Sequence, residues 1–178
     1  MAAPAPPDGF TEFVATRSAI LLRAAWLLTG DAGKAEDLLQ TVLAIVWPRW
    51  ERLVAGGNPE AYIRQALYTT YLSWRRRRWR FEVPTAELPE PGRPAEDQTG
   101  DHARELAGRD ALRRALASLS PQQRAIVVLR YVEDLSVAET ADVLGCSEGT
   151  VKVQAGRALT RLRSDPHLRL DAVEGFRP

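Results

Sequence analysis

The chain of 178 residues holds one cysteine, one methionine, two histidines and two lysines. Cys146, being alone, excludes an internal disulfide. His102 and His167 lie far from it and from each other in sequence, so a Cys/His metal site has too few ligands. Long apolar runs are missing too. The richest stretch, residues 19–28, is cut by Arg23 and falls short of the roughly 18 residues a membrane span needs, which excludes membrane insertion. Residues 30–35 read GDAGKA and lack both the glycine spacing and the Ser/Thr after lysine that a phosphate loop requires. There is no nucleophile elbow, no HExxH and no Ser/His/Asp set, so neither an enzyme nor a bound cofactor is expected. Residues 1–9 are Ala/Pro-rich, without a basic start or an apolar core, and read as a disordered leader on a cytoplasmic protein.

Net charge is only +1, but it is unevenly spread. Residues 61–80 carry six arginines and no acid, residues 82–105 seven acids against two arginines, and residues 147–163 four bases against one acid. Two basic modules therefore flank an acidic strip. Arginine richness by itself says little, because 22 of the 24 basic residues are Arg, a bias that a GC-rich genome also produces.

What is abundant is helical periodicity. Phe10, Phe13, Val14, Ile20, Leu21, Ala24, Leu27 and Leu28 recur at spacings of three, four and seven, and Thr29, Gly30 and Asp31 stop that helix. Asp31 caps a second one with Ala35, Leu38, Leu39, Val42, Leu43, Val46 and Trp47 on its apolar face. After Gly56 and Gly57, Asn58 as N-cap and Pro59 at the first helical position start a third, running to about Trp79. Three helices make a first bundle over residues 10–80. Residues 81–105 hold four prolines and many acids, and read as a linker that cannot bury a core. Residues 106–165 form a second helical domain with capping boxes at Ser120/Gln123 and Ser136/Glu139, followed by a tail over 166–178. The spacing predicts helices over 121–132, 137–144 and 148–163, the last capped by Ser147, and no strands.

Two constellations carry chemistry. A short helix with Ala141, a turn at Gly145 and a longer helix with Val151 match the helix-turn-helix pattern. Val151, Ala155, Ala158, Leu159 and Leu162 return to one buried face. The opposite face then presents Glu148, Lys152, Val153, Gly156, Arg157 and Thr160, with Gln154 at its margin, a surface able to enter a major groove. An ordinary helical hairpin with a solvated basic face carries the same local pattern. In the third helix, Tyr62, Tyr68, Tyr71, Trp74 and Trp79 interleave with Arg64 and the run Arg75, Arg76, Arg77, Arg78. Such a face suits single-stranded DNA, where rings stack on bases at roughly 1 to 3 kcal/mol each and guanidinium groups meet phosphates. Helical spacing equally fits aromatics packed into the bundle. Cys146, at the turn, reads as a small buried apolar residue.

Three segments in order, LLTGDAGKAEDLLQTVLAIVW, NPEAYIRQALYTTYLSWRRRR and LSPQQRAIVVLRYVEDLSVAETADVLGCSEGTVK followed by RALTRLR, resemble the extracytoplasmic-function (group IV) sigma factors of bacterial RNA polymerase, near their actinobacterial SigE-like branch. The resemblance covers residues 10–163. It implies an all-α fold with two small helical domains, sigma region 2 and the region 4 helix-turn-helix, joined by the acidic Pro-rich linker. It implies that Glu36, Asp37, Gln40 and Trp47 dock on the beta-prime clamp helices of core RNA polymerase, with the beta flap as a further contact. It implies that Tyr62, Tyr68, Thr69, Tyr71, Trp74 and Arg75 to Arg78 read and help melt the minus-10 element as single strand, and that Glu148, Thr150, Lys152, Val153, Gln154 and Arg157 read the minus-35 duplex. The acidic linker would thread near the polymerase active-site and RNA-exit channels, and an anti-sigma protein is a further partner the resemblance allows. The chain departs from the family pattern at Thr69 and Ser73, commonly Asn and Asp, and at Val153 and Gly156, commonly Ser and a larger side chain. Base preference is therefore this chain's own. The competing readings are a stand-alone helix-turn-helix regulator, needing only residues 106–163, and a polymerase-binding protein that reads no promoter.

Overall fold

A computed structural model describes the backbone over residues 6–81 and 100–165 and the side chains over 6–77 and 108–165. Most of the leader, the greater part of the linker and the tail, with Arg78, Trp79, His102 and His167, lie outside the described residues or side chains. Within them the chain is all helix: α1 Phe10–Thr29, α2 Ala32–Val46, α3 Trp50–Ala55, α4 Pro59–Phe81, α5 Gly100–Ser118, α6 Pro121–Tyr131, α7 Val137–Leu144 and α8 Glu148–Arg163.

The punctuation expected from the sequence governs most boundaries. Gly30, at φ 72°, ends α1 with its N–H on the Trp26 carbonyl, and the Asp31 carboxylate accepts from the Lys34 N–H at 2.8 Å to open α2. Asn58 Oδ1 accepts from the Ala61 N–H at 3.0 Å ahead of α4. The first domain has one helix more than the three expected: after α2, Pro48 lies in a 3-10 turn over Trp47–Arg49, and a short α3 precedes Gly56. That break lets Trp47 and Trp50 grip Phe10 edge-on at 5.0 and 5.2 Å, while the Trp50 indole N–H donates to the Asp8 carbonyl at 2.8 Å. The first domain is thus four helices, its chain entry pinned by two indoles.

In the second domain, α5 begins at Gly100, so residues 100–105 are helical where the sequence pattern assigns them to the linker. A sparse apolar pattern hides this start, since Leu106 is the first large aliphatic residue in the segment. Both capping boxes form as expected: Ser120 with Gln123 at α6, and Ser136 with Glu139 at α7. The Glu139 carboxyl is held below its ordinary value, first by the Ser136 hydrogen bonds.

The two domains pack on each other. One apolar cluster runs from Ala24, Leu28, Ile63, Leu67, Tyr68 and Tyr71 of the first into Leu116, Leu119, Val128 and Leu135 of the second. A smaller cluster of Ile126, Ala141, Val151 and Ala155 holds α6, α7 and α8 together.

Candidate nucleic-acid interface

The helix-turn-helix is built as its residues require. Ala141 is buried where α7 and α8 meet, and Gly145 takes φ 62°, a left-handed conformation that a side chain resists. The Cys146 N–H then closes the turn on the Ala141 carbonyl at 3.0 Å. Cys146 is half-buried against the smaller cluster rather than fully enclosed, and burial pushes its thiol up from the ordinary value. The Ser147 hydroxyl accepts from the Thr150 N–H at 3.1 Å and launches α8.

Val151, Ala155 and Ala158 go to the core, with Leu159 and Leu162 half-buried behind them. Glu148, Lys152, Val153, Gly156, Arg157 and Thr160 stand exposed, Thr150 and Gln154 are half-buried at the margin, and Gln123 of α6 donates to the Gln154 amide oxygen at 3.1 Å. Val153 is 52% exposed, an aliphatic side chain in the middle of a polar and basic face. Lys152 is paired with Glu148 at 3.6 Å, both side chains being exposed, the kind of pairing that yields readily to a phosphate. A polar, cationic helix face of 16 residues, about 24 Å long, matches what a major groove admits.

The aromatic helix is placed otherwise. Arg75, Arg76 and Arg77 are exposed, as is Thr69, while Tyr62 and Trp74 are half-buried. Tyr68 is 0% and Tyr71 2% exposed, because the second domain covers them. Tyr68 donates a short hydrogen bond to Glu133, and Arg64 Nε meets the same carboxylate at 2.6 Å. Burial, and next the Glu133 charge, push the Tyr68 phenol well above its ordinary value, so it stays a proton donor. The Tyr71 hydroxyl is buried without a hydrogen-bond partner among the described residues. Beside it Arg124, which no sequence motif singles out, donates to the Leu116 carbonyl of its own domain and the Leu28 carbonyl of the other, both at 2.8 Å. Nothing in the local pattern marks Arg124 or Glu133 as bridging residues, since both bonds depend on how the domains meet.

On α2, Glu36, Asp37 and Gln40 share an exposed face with Ala44. Trp47, just past the end of α2, is half-buried, with its ring edge-on to Phe10. Among the described residues, no group of three or more His, Cys, Asp or Glu could hold a metal, and no helix is long and apolar enough to cross a membrane.

Known proteins share this sequence and this geometry. The family model described as sigma-70, region 4 matches residues 109–162, which span the end of α5 through the helix-turn-helix. An RNA polymerase sigma-E factor of Streptomyces coelicolor is 45% identical over 156 residues, covering 88% of this chain and 85% of that protein. The ECF RNA polymerase sigma factor SigL of Mycobacterium tuberculosis is 34% identical over 149 residues, 82% of each. Among solved structures, the sigma factor RpoE of Bartonella quintana, determined with the anti-sigma factor NepR, superposes with a TM-score of 0.64 at 26% identity, over 88% of this chain and 96% of that one. CnrH, determined with the cytosolic domain of CnrY, shares the fold at a TM-score of 0.56 and 21% identity, over 87% and 85%. A two-domain helical chain carrying a capped helix-turn-helix, and matched over most of its length by these proteins, belongs to the extracytoplasmic-function sigma factors of RNA polymerase.

Proposed function

We propose that the two domains divide promoter reading between them, over residues 10–80 and 106–165. The α8 face with Glu148, Thr150, Lys152, Val153, Gln154 and Arg157 enters the major groove of the minus-35 element. Arg157 and Lys152 supply guanine or phosphate contacts, and Val153 an apolar contact of the kind thymine methyls accept. The α4 helix, through Tyr62, Tyr68, Thr69, Tyr71, Trp74 and Arg75 to Arg78, takes the minus-10 element as single strand. Trapping unpaired bases shifts the duplex equilibrium through binding free energy, with no nucleotide hydrolysis. Catalysis stays with the polymerase. The α2 face of Glu36, Asp37 and Gln40, with the half-buried Trp47 beyond it, docks on the beta-prime clamp helices, the second domain meets the beta flap, and the acidic linker follows the channels that nucleic acid uses. The protein works in the cytoplasm on the nucleoid, and an anti-sigma protein of the kind seen with RpoE is a fitting regulator.

The observation that carries this reading is the exposed α8 face behind a fully capped turn. Run-off transcription with core polymerase on a pool of promoter fragments tests it. The expected result is a set of new start sites sharing two upstream motifs. Core binding with no new starts would leave only a polymerase-binding protein. Duplex binding without core would indicate a stand-alone regulator.

A further inference from the structure

Arg64, Tyr68, Tyr71 and Arg75 fall at positions i, i+4, i+7 and i+11 of α4, so they line one face of that helix. A cation, two phenols and a second cation in a row is the composition of a single-strand track, in which rings stack on bases and guanidinium groups hold phosphates. In this structure the second domain lies on the row from Arg64 to Tyr71, Arg75 staying exposed, and the group at its head is a carboxylate. Glu133 takes Arg64 Nε on one oxygen at 2.6 Å and the Tyr68 hydroxyl on the other, as two non-bridging oxygens of a phosphate would.

Glu133 is delivered there by the end of α6. Its N–H donates to the Val128 carbonyl and that of Leu135 to the Leu129 carbonyl, both at 3.0 Å, around Asp134 at φ 53°. The carboxylate therefore rides on a fixed turn and not on a loose loop.

The covered state also carries costs that separation would relieve. The Tyr71 hydroxyl is buried without a hydrogen-bond partner among the described residues, and the cationic form of the Arg124 guanidinium is disfavoured first by its burial and then by the nearby Arg75 charge. Arg64 keeps a second partner on its own helix, Glu60 at 3.6 Å, which is half-exposed and weak.

We infer that the Arg64–Tyr68 pair is a binding site for a DNA backbone phosphate at the head of the α4 track, and that in the free chain Glu133 of the second domain occupies it as an internal substitute. Arg64 thereby joins the minus-10 reading set, and the free chain is held back from single-stranded DNA until the domains part. This rests on the assignment of α4 to single-strand reading.

The test uses the free full-length chain, a short single-stranded DNA oligonucleotide in a binding titration, and small-angle scattering for compactness. E133Q removes the charge of the occupant, so the chain should expand and bind the oligonucleotide about tenfold more tightly, the size of one charge-assisted hydrogen bond. R64Q should expand the chain as well yet bind several-fold more weakly than E133Q. The charge swap R64E/E133R should restore compactness without restoring DNA binding, because closure needs only opposite charges whereas a phosphate needs a cation on α4. Unchanged compactness and affinity in E133Q would overturn the inference. So would an R64Q chain that binds as E133Q does, or a swapped chain that binds as E133Q does. Failure of the sigma reading is separate and visible in the parent chain, as absence of new starts in run-off transcription.

Discussion

The two helices assigned to DNA are presented in opposite ways. The reading face of α8 is open to solvent from Glu148 to Thr160, while the tyrosine row of α4 lies under the neighbouring domain. Under the proposed division of promoter reading, the difference follows from their targets. A duplex offers its donors and acceptors in a preformed groove, so a rigid, permanently exposed helix suffices. Unpaired bases exist only once the helix has opened, and an aromatic surface waiting for them is an apolar liability unless something covers it. Promoter elements named for positions about 25 base pairs apart lie about 85 Å apart along B-DNA at about 3.4 Å per pair, so α4 and α8 must separate before both are read.

The contrast between the two helices is most vulnerable at their cores. Ile126→Ala empties a fully buried site behind α8, and Ile63→Ala does so on the buried side of α4 itself; each is expected to cost about 2 to 5 kcal/mol. Because one apolar cluster spans both domains, each should shift a single shared transition in chemical denaturation of the free chain. Two separate transitions would mean that the domains touch without cooperating.

Next comes the arginine run, Arg75 to Arg78. Its replacement by alanine should reduce the dependence of forked-promoter binding on log salt by about 0.7 for each single-strand phosphate that the run neutralises. An unaltered slope in the holoenzyme titration would remove the run from the DNA interface.

On the other helix, Arg157→Ala should cost about 1 to 3 kcal/mol and relax preference at one minus-35 position, measured by binding to a panel of single-base variants. Lys152→Ala removes a point charge suited to a phosphate rather than to a base edge, and should weaken all variants of the panel alike.

The smallest effect belongs to the turn that supports α8. Ser136→Ala should cost about 1 kcal/mol through loss of the α7 cap. Glu139 has a folded pKa below its unfolded one, so its contribution is present above the ordinary carboxylate range and is lost as pH falls through the folded value. Thermal melts of parent and S136A chains should therefore converge on acidification.

The same contrast governs what is legible in the sequence. Ser136, Gly145, Ser147 and Val151 act on neighbours within a few residues, so the helix-turn-helix and its exposed face can be read in full. The fold class and most helix boundaries are legible for the same reason. Pro48 is visible, but its consequence is not, since a 3-10 turn that swings Trp50 onto Phe10 is a tertiary event. Trp47, which the family resemblance implies as a polymerase contact, is half-buried against Phe10. Tyr68 and Tyr71 suit either stacking on bases or packing in a core, and helical spacing is the same for both. Their burial comes with a partner more than 60 residues away from Tyr68, Glu133. Arg124 bridges 96 positions to Leu28, a relation no local pattern encodes.

The most direct measurement is the distance between α3 and α7, with fluorescent labels on the exposed positions Glu51 and Asp142, in the free chain and in a transcribing promoter complex. A short distance is expected in the free chain and a gain of tens of ångströms on the promoter, as about 85 Å between elements requires. An active promoter complex in which that distance has not changed would contradict the division of promoter reading between two separable domains.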